Sequence, residues 1–112
     1  MSKTFAKRIG FLEKRKDLTP EQFAAHWRGV HAVLCQRIPG LKRYAINIID
    51  RKANPTVPYD GFSELWFDSK EAHDAAFSGP EGVELLADIP NFVDKLTGVL
   101  VTEERFIWPD GE

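Results

Sequence analysis

The side chains with chemistry to offer are few. His31 is the best candidate for a general acid or base, because imidazole titrates near neutrality. On a helix it follows Trp27 by four residues and Phe23 by eight, which places it about 40° and 80° from those apolar side chains. It borders an apolar stripe and can meet a ligand there. Tyr44 shares a strand face with Ile46 and Ile48, so its hydroxyl could donate to a carbonyl or lactone oxygen in a dry pocket. Phe62, Glu64 and Trp66 share one face of a later strand. A carboxylate among aromatics there could be raised in pKa and act as an acid, or could pair with Lys42 or Arg43 across the sheet. With Trp27 these residues are the candidate walls of a binding site, and Tyr59, at the end of a long loop, is a candidate to help close it.

Other reactive types carry less. Cys35 has no neighbouring charge in sequence to lower its pKa and reads as an inert structural thiol. His26 falls on the opposite edge of the stripe from His31 and His73 lies in a polar helix start, so both are expected to be solvated. The three histidines make no zinc pattern, and no metal is expected.

The elements that must position these residues are sharply punctuated. Thr19 as N-cap, Pro20 at the first helical position and Gln22 three residues after the cap predict a helix from Pro20 to Ile38, with Leu18 and Phe23 as a hydrophobic staple. Its stripe is read as Phe23, Trp27, Val30, Leu34 and Ile38, and Pro39-Gly40 ends it. Alternating or apolar runs predict strands over 4–12, 41–49, 61–67 and 98–107. Residues 50–60 read as a loop, and a second helix over 70–77 restarts at Pro80 and stops before Pro90. The order β-α-β-β-α-β is the split βαβ, ferredoxin-like pattern of an α+β domain: one antiparallel four-stranded sheet with both helices on one face, in a single domain spanning 1–112.

Composition narrows the partners. Fifteen Lys and Arg against seventeen Asp and Glu give a net charge of −2, with the basic residues dispersed apart from a Lys-Arg-Lys run at 14–16 that solvates the turn before the helix, so no nucleic-acid footprint is present. A single cysteine suits a reducing cytoplasm, and no long apolar run suggests a signal peptide or membrane span. Two helices can cover only one sheet face, leaving roughly 500 Å² of partly apolar sheet, so a homodimer with sheets packed face to face is expected.

The segments LTPEQFAAHWRGVH, IPGLKRY, ELWFDSKEAHDAAF and the closing VTEE together resemble the EthD family of the dimeric α+β barrel superfamily, over about residues 5 to 107. The resemblance implies a homodimeric barrel with a pocket between sheet and helices in each subunit and no metal or organic cofactor. Related methylmuconolactone methylisomerases place a pocket histidine eight residues before Pro-Gly and a tyrosine five residues after that proline, positions held here by His31 and Tyr44. Leu65 stands where those isomerases have a cysteine, so their thiol chemistry does not carry over. The resulting expectation is a cofactor-independent isomerase or lyase, including dehydratases, acting on a small oxygenated, partly apolar compound. The alternative is a non-catalytic carrier auxiliary to an oxygenase system.

Overall fold

The computed structural model describes residues 5–109; Thr4, where the first strand was expected to begin, and residues 110–112 of the tail lie outside that range. The strands are β1 (Ala6–Lys14), β2 (Leu41–Ile48), β3 (Gly61–Phe67) and β4 (Val93–Val101). They form one antiparallel sheet in the order β2-β3-β1-β4, the ferredoxin-like arrangement, with the helices packed on one face. No helix among the described residues is long and apolar enough to cross a membrane.

The first helical segment begins as its sequence dictates. Thr19 Oγ1 accepts from the Gln22 amide at 3.1 Å, Gln22 Oε1 accepts from the Thr19 amide at 2.9 Å, and Leu18 packs on the cluster around Phe23. It does not stay regular. After α1 (Pro20–His26) the chain widens into a π-turn (Trp27–His31) before resuming as α2 (Ala32–Cys35), and the Ala32 amide donates to the Trp27 carbonyl across five residues. A wider turn rotates less per residue, which cancels the drift of a four-residue repeat. The buried stripe is therefore Phe23, Trp27, His31, Cys35 and Ile38, while Val30 is 43 % exposed. His31 sits in the middle of the apolar face, not at its border.

Three strands depart from the sequence reading. β1 runs two residues further than expected, through Lys14, with a register shift at Glu13/Lys14. β4 spans Val93–Val101 where 98–107 was expected, because it pairs along nearly the whole of β1, from Lys14↔Val93 to Lys7↔Val101. As an edge strand it carries exposed Asp94 and Lys95, which hide its start in the sequence. In β2 a register shift between Leu41 and Arg43 puts Leu41 with the helix-side core beside Tyr44, where plain alternation assigned it to the other face.

α3 (Lys70–Ser78) is capped by Ser69, whose hydroxyl accepts from the Ala72 amide, and α4 (Pro80–Asp88) leads into a 3-10 turn (Ile89–Asn91). His73, expected in water, is buried against Phe67 and Phe77 at ring distances of 5.3 and 5.1 Å. Between helices and sheet the core forms two clusters. One is built on Phe23, Trp27, Phe92 and Leu12, the other on Cys35, Ile38, Leu65, Phe67 and Leu85.

Gly61 is the tightest joint between these layers, since a methyl group there would collide with the Trp27 ring and the Asn47 carbonyl. Gly61→Ala is expected to lower the unfolding free energy by about 1–3 kcal/mol, the usual cost of overpacking, as a reduced urea midpoint with unchanged slope. An unchanged midpoint would show that the ring has room to retreat.

Candidate functional site

A cavity of about 40 Å³, open to solvent on one side, lies between the helices and the sheet. Trp27, His31 and Cys35 reach it from the first helical segment, and Phe77, Leu85, Leu86 and Ile89 from α3, α4 and the turn beyond. Arg8, Gly10 and Leu12 of β1, Tyr44 of β2, Ser63 and Leu65 of β3 and Leu96 of β4 form the floor.

His31 is held from behind. Its Nδ1 lies 2.9 Å from Oδ2 of Asp88, a buried carboxylate at the end of α4. A carboxylate only accepts, so Nδ1 carries the proton and Nε2 keeps its lone pair. Nε2 has no hydrogen-bond partner among the described residues, and the ring lines the cavity. Burial holds the His31 pKa below its ordinary 6.5, against the opposing pull of Asp88, so the ring is neutral at pH 7.

Asp88 is shared. His26 Nε2 lies 2.9 and 3.0 Å from its two oxygens, and the Asn91 side-chain amide donates to Oδ1 at 3.0 Å. Burial alone would raise the Asp88 pKa; hydrogen bonds from Asn91, His31 and His26 outweigh it and hold the carboxyl below the usual carboxylate value. His26, expected to be solvated, instead stacks on Phe92 with ring centroids 4.8 Å apart and braces Asp88.

Tyr44 faces the same cavity, as its strand register requires. Burial, reinforced by Cys35, pushes its hydroxyl far above the ordinary range, so it stays protonated and serves as a donor. Burial also pushes the Cys35 thiol up to about 12, which fits an inert thiol. The Trp27 indole N–H is fully buried and lacks a completed hydrogen bond among the described residues, although it lies near enough to act on the Tyr44 hydroxyl.

The remaining expected wall residues are elsewhere. Phe62, Glu64 and Trp66 alternate with the cavity-facing Ser63 and Leu65 and therefore point through the opposite face of the sheet. There Glu64 pairs with Lys7 at 2.8 Å, not with Lys42 or Arg43, and accepts from Asn47 at 3.0 Å. Lys7 also pairs with Glu103 at 2.7 Å and lies 4.5 Å over the Trp66 ring, whose indole donates to Glu103. Tyr59 packs against Phe11 on that outer face at 5.0 Å, so it does not close the cavity. Its loop is pinned by Arg51, which pairs with Asp60 at 2.8 Å. Of the residues expected to line the site, Trp27, His31 and Tyr44 come together.

Arg8, Ser63, Asp88 and Asn91 were not anticipated. Asp88 is separated from His31 by 57 residues and carries no local motif, and Arg8 and Ser63 are marked only by strand parity. Among the described residues no cluster of three His, Cys, Asp or Glu is placed to hold a metal ion.

The EthD domain model matches residues 15–96. A Rhodococcus erythropolis protein, known as an uncharacterized 11.0 kDa protein in the thcB-thcC intergenic region, is 35 % identical over 91 residues, covering 80 % of this chain and 87 % of the relative. A crystal structure of an ethyl tert-butyl ether (EthD) family protein from Bacillus halodurans superposes with a TM-score of 0.77 at 25 % identity, over 89 % of this chain and 99 % of that one. A dimeric ferredoxin-like protein of unknown function from Thermobifida fusca superposes with a TM-score of 0.72 at 19 % identity, over 92 % and 94 % of the two chains. The match over most of the chain, together with the Rhodococcus relative, establishes that this chain belongs to the EthD family.

Proposed function

We propose that the chain is a small-molecule enzyme that relocates a proton within a bound oxygenated, partly apolar compound, as an isomerase or as a lyase that eliminates water. One observation carries the reading: His31 is fixed through Nδ1 to a buried carboxylate while its second nitrogen stands free in an apolar cavity. Neutral His31 takes a proton through Nε2 from a carbon beside a carbonyl, and Asp88 stabilises the imidazolium that results. Tyr44 donates to the carbonyl oxygen as negative charge gathers there, with the Trp27 N–H behind it close enough to act on the Tyr44 hydroxyl. The imidazolium then returns the proton, to a different carbon in isomerisation or to a departing hydroxyl in elimination. The residues of this cycle need no metal or organic cofactor.

Deuterium uptake from D₂O into a panel of small lactones and cyclic ketones, read by mass spectrometry, tests the base directly. Wild type should exchange protons α to the carbonyl, and His31→Ala should lose about 10²–10⁴-fold of that rate with binding changed less than about tenfold. Compounds that bind and never exchange would leave the carrier of a hydrophobic intermediate as the better reading.

The His31 environment also fixes a pH dependence. Its pKa is depressed by burial, so below 6.5 the unfolded chain takes up a proton that the folded chain resists. Unfolding free energy therefore rises with pH through that window and is level above it. Urea midpoints and exchange rate should both hold steady above 6.5 and fall on further acidification. A midpoint that climbs between about pH 7 and pH 5.5 would contradict the buried neutral ring.

The working unit is proposed to be a homodimer closed through the outer sheet face. Ile9, Phe11 and Phe62 project from that face, Phe106 and Ile107 are 91 % and 96 % exposed in the single chain, and the Thermobifida neighbour is dimeric. Sedimentation equilibrium at micromolar concentration should give twice the 12.7 kDa chain mass; a clean monomer would refute the assembly.

A further inference from the structure

Consecutive basic residues on β1 meet opposite fates. Lys7, on the outer face, is ion-paired to both Glu64 and Glu103. Arg8, on the inner face, lines the cavity and has no hydrogen bond or ion pair among the described residues. Its surroundings are the Phe77 ring, 5.1 Å from the guanidinium carbon, and the floor of the sheet.

That floor is cut to admit it. Gly10 and Gly98 are paired across β1 and β4, and a methyl group at 98 would collide with the Arg8 guanidinium. The guanidinium thus lies over bare backbone, half-buried, flanked by an aromatic face. Burial lowers its pKa from the ordinary guanidinium value with no carboxylate acting to restore it, yet an arginine keeps its charge at neutral pH. A partly desolvated cation without a counter-charge is unfavourable, and other cations in this chain, Lys7, Arg15, Arg51 and Arg105 among them, have a carboxylate in reach. The other hydroxyl and imidazole groups lining the cavity are those of Ser63, Tyr44 and His31, none of them an anion at neutral pH.

We infer that the cavity takes a carboxylate-bearing substrate, with its carboxylate on Arg8 beside Ser63 and its reacting carbon carried toward His31 and Tyr44. The planar guanidinium fits a planar carboxylate through two parallel N–H donors, and the apolar walls around Leu65, Leu85 and Leu96 suit the carbon skeleton between the two ends. A single cation in an otherwise uncharged cavity selects a monoanion. This deepens the proton-transfer reading above and rests on it for the orientation of the substrate, while the binding preference stands by itself.

The probe is a matched pair, 3-cyclohexylpropionate and 3-cyclohexylpropionamide, titrated by calorimetry into the full chain. Wild type should prefer the acid by at least about tenfold, Arg8→Gln should abolish the preference, and Arg8→Lys should retain part of it. Equal binding of acid and amide by wild type, or a preference surviving in Arg8→Gln, would overturn the inference. The wild-type comparison decides the matter even where a variant fails to fold. Because the preference is read without turnover, it and the proton-transfer reading fail separately. Deuterium exchange without a preference removes the Arg8 role alone, and a preference without exchange removes the base alone.

Discussion

The arrangement depends on the Asp88 carboxylate. A buried anion at a helix C-terminus is doubly disfavoured, by lost hydration and by the negative end of the helix dipole. Three donors offset that cost: the Asn91 amide, returned by the tight Ile-Pro-Asn turn, and one imidazole N–H from each of His26 and His31. Removing a single partner would leave a buried charge under-satisfied, so the set is held as a unit. Because the two imidazole donors lie on the first helical segment and the acceptor on α4, the same bonds that make His31 a defined base clamp the two helices over the sheet.

The π-turn serves this clamp. In a regular helix, residues spaced by four drift steadily around the axis, and His31 would sit at the rim of the face that starts at Phe23. The wider turn at Trp27–His31 removes the drift, so that Trp27 packs against Gly61 while His31 faces Asp88 on one side and the cavity on the other. A π-turn is less favourable than an α-turn, and such turns are found frequently at functional sites. Here its effect is to put a neutral imidazole in the middle of an apolar face without exposing the indole beneath it.

Much of this was legible in residue order. The capping box, the left-handed Gly40 at φ 82 and the β3 boundaries are local statements, and the structure keeps them, although the helix ends at Cys35, short of the expected Ile38. So is the inward register of Tyr44. What escaped was set by pairing at a distance. The start of β4 is dictated by β1, the Leu41 register shift by β3, and the half-buried place of His26 by a carboxylate 62 residues away. Strand parity does separate Ser63 and Leu65 from Phe62, Glu64 and Trp66. Which set meets the helices is decided by Leu65 and Phe67 entering the core, and that choice sent the aromatic trio to the outer face. Aromatic residues near a glutamate look alike in sequence on either side of a sheet.

The central claim is that His31 is a neutral imidazole whose proton is pinned on Nδ1 by Asp88, leaving Nε2 basic. Long-range ¹H–¹⁵N correlation spectra of the histidine rings at neutral pH read this directly. The account predicts a protonated Nδ1 and an unprotonated Nε2 for His31, with that pattern lost in Asp88→Asn. A His31 ring protonated on Nε2, or on both nitrogens, would contradict it.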